Sequence, residues 1–218
     1  EWSDDGRTLT MHLMEGAKWS DGVEFTAEDV RFTYYDNILD DKVPSIGNKG
    51  AWTFNGKVTE LEIVDDYTIK WHFNTAFPVR IFFAMDYADF AVSPAHIYKQ
   101  YHPKYNSDMT YSDYISATPP EDLPAVTLGA YVPVAFKPDE IMVLARNPYF
   151  WMVDEEGNQL PYFDEVRFNE ARTMETRTIN TLAGSADRSN IHSPKLFSLA
   201  LKTAQEPKST VRVQWTDY

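Results

Sequence analysis

The stretch "LTMHLMEGAKWSDGVEFTAEDVRFTYYDNIL", Leu9 to Leu39, constrains this chain more than any other. Leu9, Met11 and Leu13 alternate with Thr8, Thr10 and His12, the period of a half-buried strand. Gly16 and Asp21-Gly22 supply turn chemistry on either side of "AKWS". Thr26 followed by Asp29 has the spacing of a capping box, with Asp in place of the usual Glu or Gln. Val30, Phe32, Tyr34, Ile38 and Leu39 then form a broad apolar stripe, so a helix is expected from about Ala27 to Leu39. Nothing here is a catalytic motif.

Strand and helix patterns continue along the chain. The residues from Asp40 to Lys57 are polar and turn-rich and read as a loop. "VTELEIV" (58–64) and "YTIKWHF" (67–73) flank Asp65-Asp66 as a tight hairpin. The stretch from Pro103 to Pro124 shows little periodicity and is the best boundary. "AYVPVAF" and "EIMVLARN" are two strands joined by Lys137-Pro138-Asp139, and "EVRF" is another. "METRTINTLAGS" reads as a helix stopped by Gly184. "SPKLFSLALKTAQE" reads as a helix capped at Ser193, with Pro194 at its first position. "TVRVQW" is a final strand.

Charge and composition remove several function classes. Acidic residues outnumber basic ones, 33 to 20, and a net charge of −13 repels phosphate backbones, so nucleic-acid binding is excluded. The absence of cysteine removes disulfides, zinc-thiolate sites and thiol nucleophiles, and it fits an oxidising compartment. No apolar run reaches the length of about 18 residues that spans a bilayer. The opening "EWSDDGRTLT" is neither basic nor apolar, so it is no signal peptide, and the chain reads as an excised piece of something longer. His96 and His102 are six apart, not a helical metal-ligand pair. "DEEGN" (154–158) lacks the spacing of a calcium loop. No nucleophile elbow, Walker A or dinucleotide fingerprint occurs, so neither cofactor nor metal is expected. Abundant carboxylates keep one enzymatic alternative open, a secreted glycan-acting domain with paired acids.

Aromatic residues, 15% of the chain, are the compositional signal. Tyr67, Ile69, Trp71 and Phe73 share one strand face and belong to a core. Trp52 in "GNKGAWTFNGK", Tyr87 in "AMDYADF", and Tyr149, Phe150 and Trp151 after Asn147-Pro148 lie in loops. Flat rings beside polar groups are what peptide and sugar binders use.

The opening stretch resembles the signature region of the family 5 extracellular solute-binding proteins, the oligopeptide-, dipeptide- and nickel-binding components of ABC importers. Gly16, Lys18, Trp19, Asp21, Gly22 and Thr26 to Val30 carry that resemblance. "VTELEIVDDYTIKWHF" resembles the family hairpin, "SPAHIY" its Pro-x-His segment, and "LPYFDEVRF" and "LAGSAD" later motifs. "LGAYVPVAFKPDEIMVLARNPYFW" resembles the stretch ending Arg-Asn-Pro-x-Tyr-Trp, with Ala130 replacing the more common Pro and Phe150 between Tyr149 and Trp151. The long "VDEEGNQLPYFDEVRF" segment is similar to a branch that includes sugar-oligomer binders as well as peptide binders.

The resemblance implies a mixed α/β, periplasmic binding protein-like class II fold. This chain would be most of lobe I, a mixed sheet with flanking helices. It implies an outer subdomain over 1–105, a linker over 106–124 and an inner subdomain over 125–218, truncated before lobe II. The implied function is a non-enzymatic one. An oligopeptide or similar solute, or alternatively an oligosaccharide, is captured in an inter-lobe cleft and delivered to an ABC permease at the membrane. The location implied is periplasmic or extracellular, with any membrane anchor outside this segment. The residues expected to face the ligand from loops near that cleft are Trp52, Tyr87 and Tyr131, and the signature itself is expected to be scaffold.

Overall fold

In the computed structural model the described residues are 1–44, 49–86, 90–117, 123–191 and 193–214. Their contacts divide the chain into two units, one of residues 1–135 and 143–166, the other of 136–142 and 167–218.

The first unit is built on a sheet of order β1-β5-β4, with β1 Thr8–His12, β4 Glu60–Asp65 and β5 Thr68–His72, all antiparallel. Leu9 and Leu61 both lie opposite Trp71, and Met11 and Ile63 both lie opposite Ile69. A slip of one residue would turn this apolar set to solvent, which specifies the register. The register shifts between Ile63 and Asp65, where the strand enters the hairpin turn and the Asp65 carboxylate accepts from the Tyr67 amide at 2.8 Å.

Helix α1 (Ala27–Arg31) begins at the capping box: Thr26 Oγ1 accepts from Glu28 N, and Asp29 accepts from Thr26 N. It continues without a break as a π-helical segment, Phe32–Ile38, whose wider turn closes with Leu39 N donating to Tyr34 O at 3.0 Å. The helix expected over 27–39 is therefore present, wound more loosely in its second half. Tyr34 Oη donates to Thr59 O, while Tyr35 Oη donates to Leu61 O and accepts from Leu61 N, so two phenols tie the helix to the sheet edge.

Between these elements, Lys49–Trp52 forms a 3-10 turn. The short strands β2 (Thr53–Phe54) and β3 (Lys57–Val58) pair across Asn55-Gly56. Both turn residues have positive φ, 46° and 75°, as a two-residue hairpin of this hand requires. The loop expected over 40–57 thus carries short regular pieces, and its residues 45–48 lie outside the described ones.

Helices α2 (Ile81–Asp86), α3 (Ala95–Tyr98) and α4 (Tyr111–Ser116) follow. Tyr114 of α4 packs with Phe32 and Ala95 in a second small core that encloses His102. His102 Nδ1 accepts from Lys104 N, so its proton sits on Nε2, which donates to Asp36 O. Of the 106–124 stretch, expected as a linker, residues 106–117 and 123–124 are described and fall in the first unit. Its helix buries Tyr114 and closes its own capping box between Thr110 and Asp113.

A second sheet has the order β6-β7-β8, with β6 Tyr131–Lys137, β7 Ile141–Arg146 and β8 Glu165–Asn169. In the second unit α5 (Met174–Leu182) is capped by Thr173 Oγ1 accepting from Thr176 N and is followed by Gly184 at φ 79°. α6 (Pro194–Ala204) starts after Ser193 with Pro at its first position, although the Ser193 side chain makes no cap bond. The final expected strand is not formed, because residues 210–214 pair with no strand among the described residues. The alternation of Val211 and Val213 specifies a face, but a strand also needs a partner.

Candidate ligand-binding surfaces

The signature region proves to be a polar knot. Asp29 is buried, and its Oδ2 accepts from Trp19 Nε1 at 3.2 Å and Thr26 N at 3.0 Å. Its Oδ1 accepts from Ala95 N at 2.8 Å, so one carboxylate joins the glycine turn, the start of α1 and the start of α3. Gly22, at φ 88°, lets the turn close, with Gly22 N donating to Trp19 O and Trp19 N to Val23 O. On the outer side Asp21 pairs with His96 Nε2 at 2.7 Å. Burial works to raise the Asp21 pKa, but the His96 and Val23 hydrogen bonds outweigh it and the net shift is downward. A second knot surrounds Asp36, also buried, which takes bonds from Arg31, Lys104 and Tyr105. Burial and then the Asp36 bond push the Tyr105 phenol up to about 12. Both buried carboxylates, Asp29 and Asp36, are satisfied by donors of the protein itself, which is the signature of scaffold.

Of the three residues expected to face a ligand, Trp52 is placed in the core. Its ring is fully buried against Tyr34 (4.9 Å), Trp71 (4.8 Å) and Phe90 (5.0 Å), so it offers no open face. Trp52 does not face a ligand as expected because it ends the 3-10 turn, which folds the loop back over β5 and turns the indole inward. Arg80 holds that turn by donating to Gly50 O and Thr53 O. Tyr87 lies outside the described residues. Tyr131 opens β6 and is half-buried. Its neighbours are clamped by the buried Asn147, whose Nδ2 donates to Gly129 O, whose N donates to Ala130 O, and whose Oδ1 accepts from Tyr149 N.

Asn147 is also the base of a hairpin over residues 148–163 that displays apolar rings. Trp151 is 48% exposed, Tyr162 66% and Phe163 74%, with Tyr149, Met152 and Val153 exposed beside them in sequence. The backbone pairs at Val153 and Gln159 and turns at Gly157, φ 84°. Asp154 organises the tip: it accepts from Asn158 N (2.7 Å), Asn158 Nδ2 (3.0 Å), Glu156 N (3.1 Å) and Tyr162 Oη (2.8 Å). The Asn158 and Tyr162 bonds hold its carboxyl below the usual carboxylate value. Gln159 Nε2 donates to Pro148 O and Phe150 O, both at 2.8 Å, and closes the base. Tyr149 stacks on Gly22 and lies under the Lys18 ammonium, 5.8 Å from the ring centroid. "DEEGN" is thus a self-satisfied turn. Among the described residues no group of His, Asp or Glu is arranged to hold a metal ion.

A second apolar patch was not singled out from the sequence. Phe77, Val79, Phe82 and Phe83 are exposed, and Trp2 meets Phe77 and Phe82 at 5.6 and 6.5 Å. Phe77 adopts φ 46° and lies against Gly6, where any Cβ would meet its ring at 2.4 Å. The signals were Phe77-Pro78 with the Phe82-Phe83 pair that follows in α2 and, for the hairpin, Tyr162-Phe163 after Pro161. In the second unit an open depression of about 710 Å³ is lined by residues including Phe136, Phe168, Met174, Arg177, Asn180 and Arg188. None of the expected ligand-facing residues lines it.

The profile of "Bacterial extracellular solute-binding proteins, family 5 Middle" matches residues 1–217. The chain is 46% identical over 213 residues to the periplasmic alpha-galactoside-binding protein of Rhizobium meliloti (strain 1021), covering 98% of this chain and 30% of that relative. The structure of the periplasmic binding protein MelB of Agrobacterium fabrum C58, in complex with stachyose, matches with a TM-score of 0.85 and 44% identity, over 96% of this chain and 31% of that one. The oligopeptide-binding protein OppA matches with a TM-score of 0.75 and 29% identity, over 94% of this chain and 35% of that one. The chain therefore spans about a third of the length of these proteins, and its mixed helix-and-sheet fold is that of periplasmic binding proteins. It belongs to the family 5 bacterial extracellular solute-binding proteins.

Proposed function

We propose that this chain is part of the substrate-binding component of an ABC importer, and that its solute is an oligosaccharide of the α-galactoside kind. The observation that carries the ligand class is the 46% identity, along 98% of the chain, to a relative named for α-galactoside binding. The likeness at 44% identity to a stachyose complex supports the same class. The peptide reading, first in line from the motifs alone, rests on the weaker 29% identity to OppA.

The work is non-covalent. A solute binds in a cleft between lobes, its hydroxyls are satisfied by protein groups, and hinge closure removes it from water before a permease receives it. No bond is made or broken, and the secreted glycan-acting enzyme has no motif to support it. Tyr131 keeps its proposed role as a ligand contact, because it is half-buried and follows directly on Gly129 and Ala130, which the Asn147 clamp holds. The proposed location is the periplasm or cell exterior, as for the relatives.

Calorimetry on the full-length protein tests this reading. Stachyose and related α-galactosides are expected to bind at micromolar or tighter affinity, while a mixed tri- to pentapeptide panel gives no heat. Peptide binding without saccharide binding would reverse the assignment.

A further inference from the structure

We propose that the 148–163 hairpin is a preformed saccharide-stacking platform, with the rings of Trp151, Tyr162 and Phe163 meeting sugar rings. This inference rests on the oligosaccharide reading above and deepens it.

Three observations point the same way. First, the hairpin concentrates exposed apolar surface: Tyr149, Trp151, Met152, Val153, Tyr162 and Phe163 are all exposed. Such concentrations on a folded protein mark contact sites. Second, the tip is rigid through its own bonds, four of them to the Asp154 carboxylate and two from the Gln159 amide to the base. A ring already ordered loses little freedom when a ligand lands on it, which is the advantage of preorganisation. Third, the chemistry around the rings selects among ligands. Asp154, Glu155, Glu156, Asp164 and Glu165 flank them in sequence and Lys or Arg is absent from 147–166, so acidic groups outnumber the Lys18 ammonium that lies over the Tyr149 ring. A neutral sugar offers hydroxyl donors to Glu155, Glu156 and Asp164 and a C–H face to the rings, and Trp151 pairs an apolar body with a polar tip, whereas Asp154 and the Tyr162 hydroxyl are engaged with each other.

The patch at Phe77 to Phe83 offers a poorer match. Phe77, Val79, Phe82 and Phe83 carry no polar side-chain atom to satisfy a hydroxyl.

The test uses the full-length protein and stachyose as probe. The double variant Trp151→Ala/Phe163→Ala is expected to weaken stachyose binding by about tenfold or more, as loss of aromatic anchors does at a contact site. Its melting temperature is measured alongside, and a variant that melts as the wild type does attributes the lost affinity to the rings rather than to unfolding. As a second readout, the fluorescence change produced by stachyose in the wild type should be reduced in Trp151→Phe. Unchanged affinity together with an unchanged fluorescence response overturns the platform while leaving the oligosaccharide reading intact. A wild type that binds peptides but no α-galactoside overturns both. A double variant that binds stachyose normally but fails to support uptake also overturns the platform, and assigns the face to the permease instead.

Discussion

The signature turn around Asp29 and the hairpin around Asp154 use the same materials in opposite directions. Each has a central Asp that collects several donors, a glycine with positive φ, and tryptophan and tyrosine rings close by. In the signature the carboxylate is buried and draws Trp19 inward, so the ring itself is a structural donor. In the hairpin the carboxylate sits at the surface and its bonds stiffen a loop whose rings point to solvent. The lesson is that a conspicuous Asp-aromatic-Gly motif does not announce function. The direction its rings take is what separates scaffold from contact surface. Tyr149 is the joint between the two, part of the hairpin yet packed on Gly22 of the signature turn.

The contrast can be broken by substitution. Asp29→Ala is expected to have the largest effect, a loss of about 3 kcal/mol or more, because it strands the Trp19, Thr26 and Ala95 donors in the interior. Chemical denaturation of the full-length protein would measure it, and a loss below about 1 kcal/mol would remove the knot from the scaffold. Gly22→Ala comes next, at about 1–3 kcal/mol, since φ 88° is strained for any side chain and an added Cβ would meet the Tyr149 ring at 3.1 Å. If the joint is real, the Gly22→Ala variant should also disturb the hairpin, seen as faster amide exchange over 149–160.

Asp154→Ala should leave global stability essentially unchanged, as surface changes do, while amide exchange at Glu156 and Asn158 accelerates. The smallest effect is on pH. The folded-state pKa of Asp154 is depressed, so its contribution is fully present above the ordinary carboxylate value of 3.8 and is lost as pH falls through the lower folded value. Amide exchange in the hairpin, corrected for its intrinsic pH dependence, should therefore be protected equally at pH 7 and pH 5 and lose protection only below about pH 4. Loss of protection between pH 7 and pH 5 would point to a group other than Asp154.

Much of this was legible in the residues. The capping box at Thr26–Asp29, the alternation that puts Ile69 and Trp71 inward, and the Gly184 stop are local rules that the structure obeys. Trp52 was misread because polar neighbours on both sides made its loop look open. The contact that buries it comes from Trp71 and Phe90, remote in sequence. Tyr162 and Phe163 lie in a legible motif, but aperiodic sequence does not say which way their rings turn.

The sequence by itself determined the family, the strand and helix periods, the caps and the turns, since each depends on residues within one or two turns of chain. Tertiary structure alone decided that Asp29 would reach the amide of Ala95, that Trp52 would close a core, and that the rings of 148–163 would stay outside. Burial is a property of what else arrives at a position. A chain read residue by residue carries the propensity to turn, but not the identity of the neighbour waiting on the other side.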